Sequence, residues 1–127
     1  MYKSLLAIVL TTQFSASSMA AWNTVATRGY DNFSLFFRNA DDLQASQESA
    51  MTACGSTTCS VLASSDRLCI AATLELGHGA PIIGEGDTIQ EAQANSLAKC
   101  LVTQLGVRCI HAGYGCSTGS HRDLLRN

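Results

Sequence analysis

The chain has 127 residues, a formal net charge of −2 and only 14% charged residues. Its few Lys and Arg residues are scattered and form no basic stripe, which argues against nucleic acid as a partner. A chain of this length makes one domain, and its core alone would be only moderately stabilising.

The first residues, 1–20, have the features of a secretory signal peptide. Lys3 supplies the only early charge, Leu5 to Leu10 form a short apolar run, and Ser18 and Ala20 are small residues where signal peptidase reads them. The apolar run is far shorter than the roughly 20 residues that span a bilayer. We therefore expect cleavage after Ala20, export to the periplasm or the extracellular space, and a soluble mature chain without a membrane span.

The next segments predict a hairpin, a helix and a strand. Residues 22–27 and 33–38 read as two extended segments, and the sequence from Asn39 to Asp42 is a helix start signal. The helix that follows ends near Gly55, since glycine tolerates the left-handed conformation that stops a helix. Residues 59–63 then read as a strand.

The second half of the chain repeats this order. Sliding the sequence by 46 residues superposes residues 25–27 on 71–73 and Cys54 on Cys100 without gaps. Thr88 and Glu91 have the form of a capping box, in which the Thr88 hydroxyl accepts from the Glu91 N–H and Glu91 reaches back to the Thr88 N–H. Strands are expected over 68–76, 81–84 and 108–112.

Together these elements predict an α+β fold made of two pseudo-repeated hairpin-helix-strand units. We expect a mainly antiparallel sheet with the two helices on one face. The domain is expected to span residues 21–116, and residues 117–127 are expected to form a polar C-terminal tail.

Six cysteines remain after the signal peptide, which predicts a disulfide framework in an oxidising compartment. They do not have the paired spacing of a zinc site. A helix end and the start of the next strand lie close together, which favours the pairs Cys54–Cys59 and Cys100–Cys109 and leaves Cys69 with Cys116, although other pairings remain open. Because three cysteines fall near each repeat, at least one bridge is expected to join the two copies.

The helices and cysteines resemble a known family. Each helix ends in a cysteine after an Ala-, Glu- and Gln-rich stretch, a Cys-x-hydrophobic strand follows each, and Cys69 to Ala72 lies between. In residues 44–61 with 69–73, and in residues 88–110 with Cys116, the chain resembles the bacterial domain-of-unknown-function family 4189. The resemblance implies a small exported domain and supplies no active site.

Catalytic residues are not apparent in the sequence. With the cysteines paired no thiolate is left, and there is no HExxH helix and no GxSxG elbow. Glu85 and Asp87, in a glycine-flanked loop, are the most site-like pair, because two carboxylates could bind Ca²⁺ or act as acid and base, although a helix start alone explains one of them. We assign no catalytic residue, no metal and no cofactor.

Aromatic side chains offer another kind of surface. Phe36 and Phe37 are adjacent, so in a strand they point to opposite faces, and one of them could be exposed and anchor a partner. The candidate binding surface consists of Phe36, Phe37, Tyr30, His78, Glu85 and Asp87.

The leading hypothesis is a non-catalytic exported domain that binds another protein, such as an inhibitor or immunity protein that neutralises a secreted toxin or a cell-wall hydrolase. One alternative is a small cell-envelope hydrolase that uses Glu85 and Asp87 with His78 or His111. Another is a structural component of the envelope or the cell surface.

Overall fold

A computed structural model describes residues 22–29, 34–76, 81–103 and 108–125. The predicted signal peptide, Tyr30 and His78 lie outside the described residues. In chain order the elements are β1 (Trp22–Arg28), β2 (Ser34–Ala40), α1 (Leu43–Cys54), β3 (Cys59–Ser65), β4 (Cys69–Glu75), β5 (Pro81–Gly86), α2 (Ile89–Thr103), β6 (Cys109–Cys116) and β7 (His121–Arg122).

The strands form two antiparallel sheets, one from each half of the chain. The first sheet has the order β2-β1-β3, and the second has the order β5-β4-β6-β7. The first unit is therefore β1, β2, α1 and β3, and the second unit is β4, β5, α2 and β6. The α+β class and the repeated hairpin-helix-strand unit are confirmed.

The two sheets stack face to face, and each helix covers the outer face of its own sheet. Successive side chains of a strand point to opposite faces, so alternate residues face the core between the sheets and the helix outside. Val25 and Phe37 lie in the core between the sheets, whereas Ala26 and Phe36 pack under α1. In the second unit Ala71 packs under α2, and its neighbours in β4 face the inter-sheet core. The arrangement thus differs from the expected single sheet with both helices on one face.

The repeat is real, but its offset changes along the chain. Phe37 and Ile83, 46 residues apart, occupy equivalent places in β2 and β5, and their partners in β1 and β4 are Val25 and Ala72, 47 residues apart. The gapless shift of 46 residues is therefore off by one in the first strand of each unit. From the core residue of the first strand to its partner in the second, the separation is 12 residues in the first unit and 11 in the second.

The last strand of each unit carries a β-bulge at an equivalent place. Leu62 in β3 and Ala112 in β6, 50 residues apart, are the extra residues, and both pack in the core between the sheets. A bulge adds one residue to one strand and increases its local twist. The shared bulge shows that the two units match in strand geometry as well as in element order.

The three disulfides join the pairs that the sequence favours: Cys54–Cys59, Cys100–Cys109 and Cys69–Cys116. The first two connect a helix end to the next strand with the same Cα–Cα distance of 6.2 Å. The third joins directly paired residues of β4 and β6. The prediction of a disulfide between the two copies is wrong. The first unit contains two of the cysteines and the second contains four, and each unit pairs its own.

Residues 117–125 belong to the fold instead of forming the expected polar tail. β7 pairs with β6, and Leu124 exchanges two backbone hydrogen bonds with Leu35 of β2, at 2.7 and 3.0 Å. Asp123 accepts from the Phe37 N–H at 2.9 Å and forms an ion pair with Arg38 at 2.8 Å. We call residues 121–124 the C-terminal strap, since they connect the two sheets along one side of the sandwich.

Candidate functional site

The adjacent phenylalanines are both buried, with Phe36 6% exposed and Phe37 fully covered. Phe36 packs under α1, and the Arg28 guanidinium lies 5.6 Å from the centre of its ring. Phe37 fills the core between the sheets. The prediction of an exposed aromatic anchor is wrong, because α1 covers one face of β2 and the second sheet covers the other.

The carboxylates Glu85 and Asp87 are exposed, but the structure does not bring His111 to them. Glu85 lies opposite Ile70, which points into the inter-sheet core, whereas His111 lies opposite Thr73, which points towards α2. Glu85 and His111 are thus separated by β4 and point to different faces of the sheet. Glu85 and Asp87 instead belong to a polar cluster at the junction of the two units.

Arg67, in the segment that connects the two units, is the centre of this cluster. Its Nε and Nη2 atoms donate to Asp87 Oδ1 at 3.2 and 3.1 Å, and Nη2 also donates to Glu91 Oε1 at 3.1 Å. The hydrogen bond with Asp87, followed by the negative charges of Asp87, Glu91 and Glu85, raises the pKa of Arg67. These side chains are substantially exposed, so their ion pairs orient the guanidinium more than they stabilise the fold.

Buried groups fix the connecting segment beneath Arg67. Asn23, which is 1% exposed, donates from Nδ2 to the Arg67 carbonyl at 3.0 Å and to the Ser117 hydroxyl at 3.1 Å. The Ser65 hydroxyl accepts from the Arg67 N–H at 3.0 Å and donates to Glu85 Oε2 at 2.6 Å. Both units and the C-terminal segment therefore hold the backbone of Arg67 in place.

The start of α2 supplies the next part of the cluster. The Thr88 hydroxyl accepts from the Glu91 N–H at 3.0 Å, as the capping box predicts. The Glu91 carboxylate does not return to the Thr88 N–H. It accepts from the Asp87 N–H at 3.4 Å and from Arg67 instead, because the guanidinium attracts it.

An open cleft runs beside this network along the edge of β5. Asn95 donates to the Glu85 carbonyl at 2.6 Å, and Lys99 donates to the Ile83 carbonyl at 2.9 Å. The helix can approach the strand this closely because Gly84 has no side chain, and a Cβ there would lie 2.6 Å from the Ala92 carbonyl oxygen. The cleft has a volume of about 420 Å³ and is lined by Arg67, Glu85, Asn95, Ala98 and Lys99. We call it the joint cleft.

The first unit lacks these cleft side chains. The residues of α1 that match Glu91, Asn95, Ala98 and Lys99, 46 positions earlier, are Ala45, Ser49, Thr52 and Ala53. The helix-end cysteines and the capping positions do recur, at Cys54 and Cys100 and at Asp42 and Thr88. The helix-end and capping residues thus recur in both units, whereas the cleft side chains occur in the second unit alone.

Sequence reasoning found Glu85 and Asp87 but missed Arg67, Asn95 and Lys99. The signal that could have found Asn95 and Lys99 is the difference between the two copies at matched helix positions. Within the described residues, no group of three or more His, Cys, Asp or Glu side chains could hold a metal ion. The same residues contain no helix with the length and apolar character needed to cross a membrane.

Comparisons with family models, with curated proteins and with solved structures find no match to this chain. The resemblance to domain-of-unknown-function family 4189 therefore stays a prediction from the residues that carry it.

Proposed function

We propose that this chain is a small exported domain that binds another protein through the joint cleft and does not catalyse a reaction. The observation that carries the proposal is the contrast between the two units, because a shared scaffold carries the cleft side chains in one copy only. An inhibitor or immunity protein that neutralises a secreted toxin or a cell-wall hydrolase would have these properties.

Preorganisation of the cleft supports a binding role. The Arg67 carbonyl is fixed by Asn23, and its guanidinium is held between Asp87 and Glu91. Groups that are already held in place lose less conformational entropy when a partner binds, and this raises affinity. The cleft is shallow and polar, which suits a polar surface of another protein.

The charges around the joint cleft support a basic partner. Two cationic side chains, Arg67 and Lys99, lie there with three carboxylates, which are Glu85, Asp87 and Glu91. Complementary charge speeds the encounter of two proteins and excludes partners of the wrong sign.

Export of the chain is supported by two independent features. Residues 1–20 have the sequence pattern of a secretory signal. The six cysteines form three disulfides, which persist in oxidising compartments.

Site-specific photo-crosslinking in the source cells tests the proposal. A photoreactive amino acid is placed at Ala98 in the joint cleft, and a matched control carries it at Thr52, the equivalent exposed position of α1. We expect a discrete crosslinked product from the Ala98 position that is weak or missing from the Thr52 position. Arg67→Ala in the Ala98 background is expected to reduce the product. Equal crosslinking at both positions, or none at Ala98, would contradict binding through the joint cleft.

A further inference from the structure

The two sheets have four outer edges, and most of them are protected against the addition of another strand. The C-terminal strap covers β2 through Leu124 and Asp123. On β5, the outward carbonyls of Ile83 and Glu85 accept hydrogen bonds from side chains of α2. Beyond β6 lies β7, which is only two residues long and pairs with β6 at Tyr114 and Gly115. Short edges and covered edges are the usual means of avoiding unwanted strand pairing.

The remaining edge, β3, is neither short nor covered by described residues, although it carries the bulge at Leu62. β3 is seven residues long and contains no charged residue and no proline. It pairs with β1 on one side, and alternate residues of such a strand direct their N–H and C=O groups outwards. Within the described part of the chain, the Cys59 N–H donates to the Ser56 carbonyl at 3.4 Å, and no hydrogen bond reaches the outward backbone groups of β3 beyond Cys59.

The second unit shows what this edge can accept. The strand equivalent to β3 is β6, and on the matching edge it is paired with the antiparallel strand β7. Arg122 lies opposite Tyr114, and Tyr114 matches Ser64 of β3, 50 residues earlier. The same kind of edge is thus paired at two residues with the short strand His121–Arg122 in one unit, whereas in the other unit no described residue pairs with it.

We propose that β3 binds an extended segment of the partner protein as an additional antiparallel strand, with a Lys or Arg near the N-terminal end of that segment. An antiparallel segment on β3 begins beside Ser65, where Glu85 and Asp87 lie at the joint cleft. The basic side chain enters this acidic end while the backbone pairs with β3. The inference rests on the proposed function and specifies how the partner engages the protein.

Selection of peptides from a phage-displayed random library on the purified, oxidised protein tests this inference. We expect the enriched peptides to contain a run of β-branched or alternating apolar residues preceded by Lys or Arg. Ser60→Lys, on the exposed edge, is expected to weaken their binding by about tenfold or more, because a lysine on an edge strand opposes pairing. The control Thr52→Lys adds the same charge on α1 and should bind as the wild type does.

N-methylation of a selected peptide distinguishes strand pairing from other binding. Only every second N–H of an added antiparallel strand faces β3, so N-methyl groups should abolish binding at alternate positions and be tolerated between them. Uniform tolerance, failure to enrich any peptide, enrichment without basic residues, or normal binding by Ser60→Lys would overturn the inference. So would a dimer of this chain that Ser60→Lys dissociates. These results would not change the crosslinking expected at Ala98, because that experiment tests the joint cleft. Absence of the Ala98 crosslink would instead contradict binding through the joint cleft.

Discussion

Buried hydroxyl groups show how single side chains are accommodated between strand and helix. Thr24 pairs with Ser46 in the first unit at 2.7 Å, and Thr73 pairs with Ser96 in the second at 2.6 Å. At each of these places the opposite unit has two packed alanines instead. Ala71 and Ala92 match Thr24 and Ser46, and Ala26 and Ala50 match Thr73 and Ser96. Each unit thus contains one hydroxyl pair and one alanine pair, in exchanged positions.

Thr27 is the exception, because its buried Oγ1 has no hydrogen-bond partner among the described residues. An unpaired buried hydroxyl costs about 1–3 kcal/mol. We expect Thr27→Val, which keeps the shape and removes the hydroxyl, to increase the free energy of unfolding by about 1 kcal/mol. Urea unfolding with the disulfides intact measures this change.

The matched control for Thr27→Val is Thr24→Val. Thr24 Oγ1 is hydrogen-bonded to Ser46 and to Ser64, both at 2.7 Å, so its removal should lower the free energy of unfolding by about 1–3 kcal/mol. Equal destabilisation by the two substitutions would show that Thr27 has a partner after all.

At the level of the elements, the sequence predicts the helices well because their ends carry local signals. α1 begins after the N-cap Asp42, whose side chain accepts from the Ala45 N–H, and ends at Gly55, which has a φ of 67°. A left-handed φ of this kind favours glycine. These signals depend on a few neighbouring residues and can be read without knowledge of the fold.

The faces of the strands could not be read in the same way. All seven residues of β4 are buried, since a sheet lies on one face and a helix on the other. A strand that is buried on both faces lacks the polar alternation that identifies its inner face. The runs Val25 to Thr27 and Ala71 to Thr73 therefore align by residue type although their side chains point in opposite directions.

The disulfides give an element-scale prediction. Cys69–Cys116 closes a loop with a sequence separation of 47, whereas Cys54–Cys59 spans a separation of 5. Loop-closure entropy predicts stabilisation of about 4 kcal/mol for the first and about 2 kcal/mol for the second. Replacing each pair by alanine and comparing urea unfolding curves under oxidising conditions checks the order. A larger loss from Cys54→Ala with Cys59→Ala would contradict the entropic explanation.

At the scale of the whole molecule, one side of the sandwich is closed and the opposite side is open. The C-terminal strap joins β2 to the second sheet, whereas β3 and β5 are linked through the side-chain contact of Ser65 with Glu85. The mostly polar sequence of residues 117–125 did not predict this role, because the strap is held by backbone hydrogen bonds and by Asp123 as well as by the packing of Leu124 against the inter-sheet core.

The candidate site depends on this whole-molecule arrangement, which limits what sequence reasoning could find. Arg67 and Asp87 are 20 residues apart and meet only because the two units fold against each other. An exposed side chain was expected for one of Phe36 and Phe37 because the number of layers covering β2 could not be read from the sequence. Local patterns identified the glycine-flanked carboxylates, and the tertiary structure supplied their cationic partner.

Amide hydrogen exchange on the intact oxidised protein, alone and with the partner crosslinked through Ala98, tests most directly whether the open side is the binding side. We expect slower exchange in the complex for β3 and for the segment from Arg67 to Leu68, and unchanged exchange for β2 and the C-terminal strap. Protection of β2 and the strap, with unchanged exchange in β3 and beside Arg67, would contradict binding at the open side.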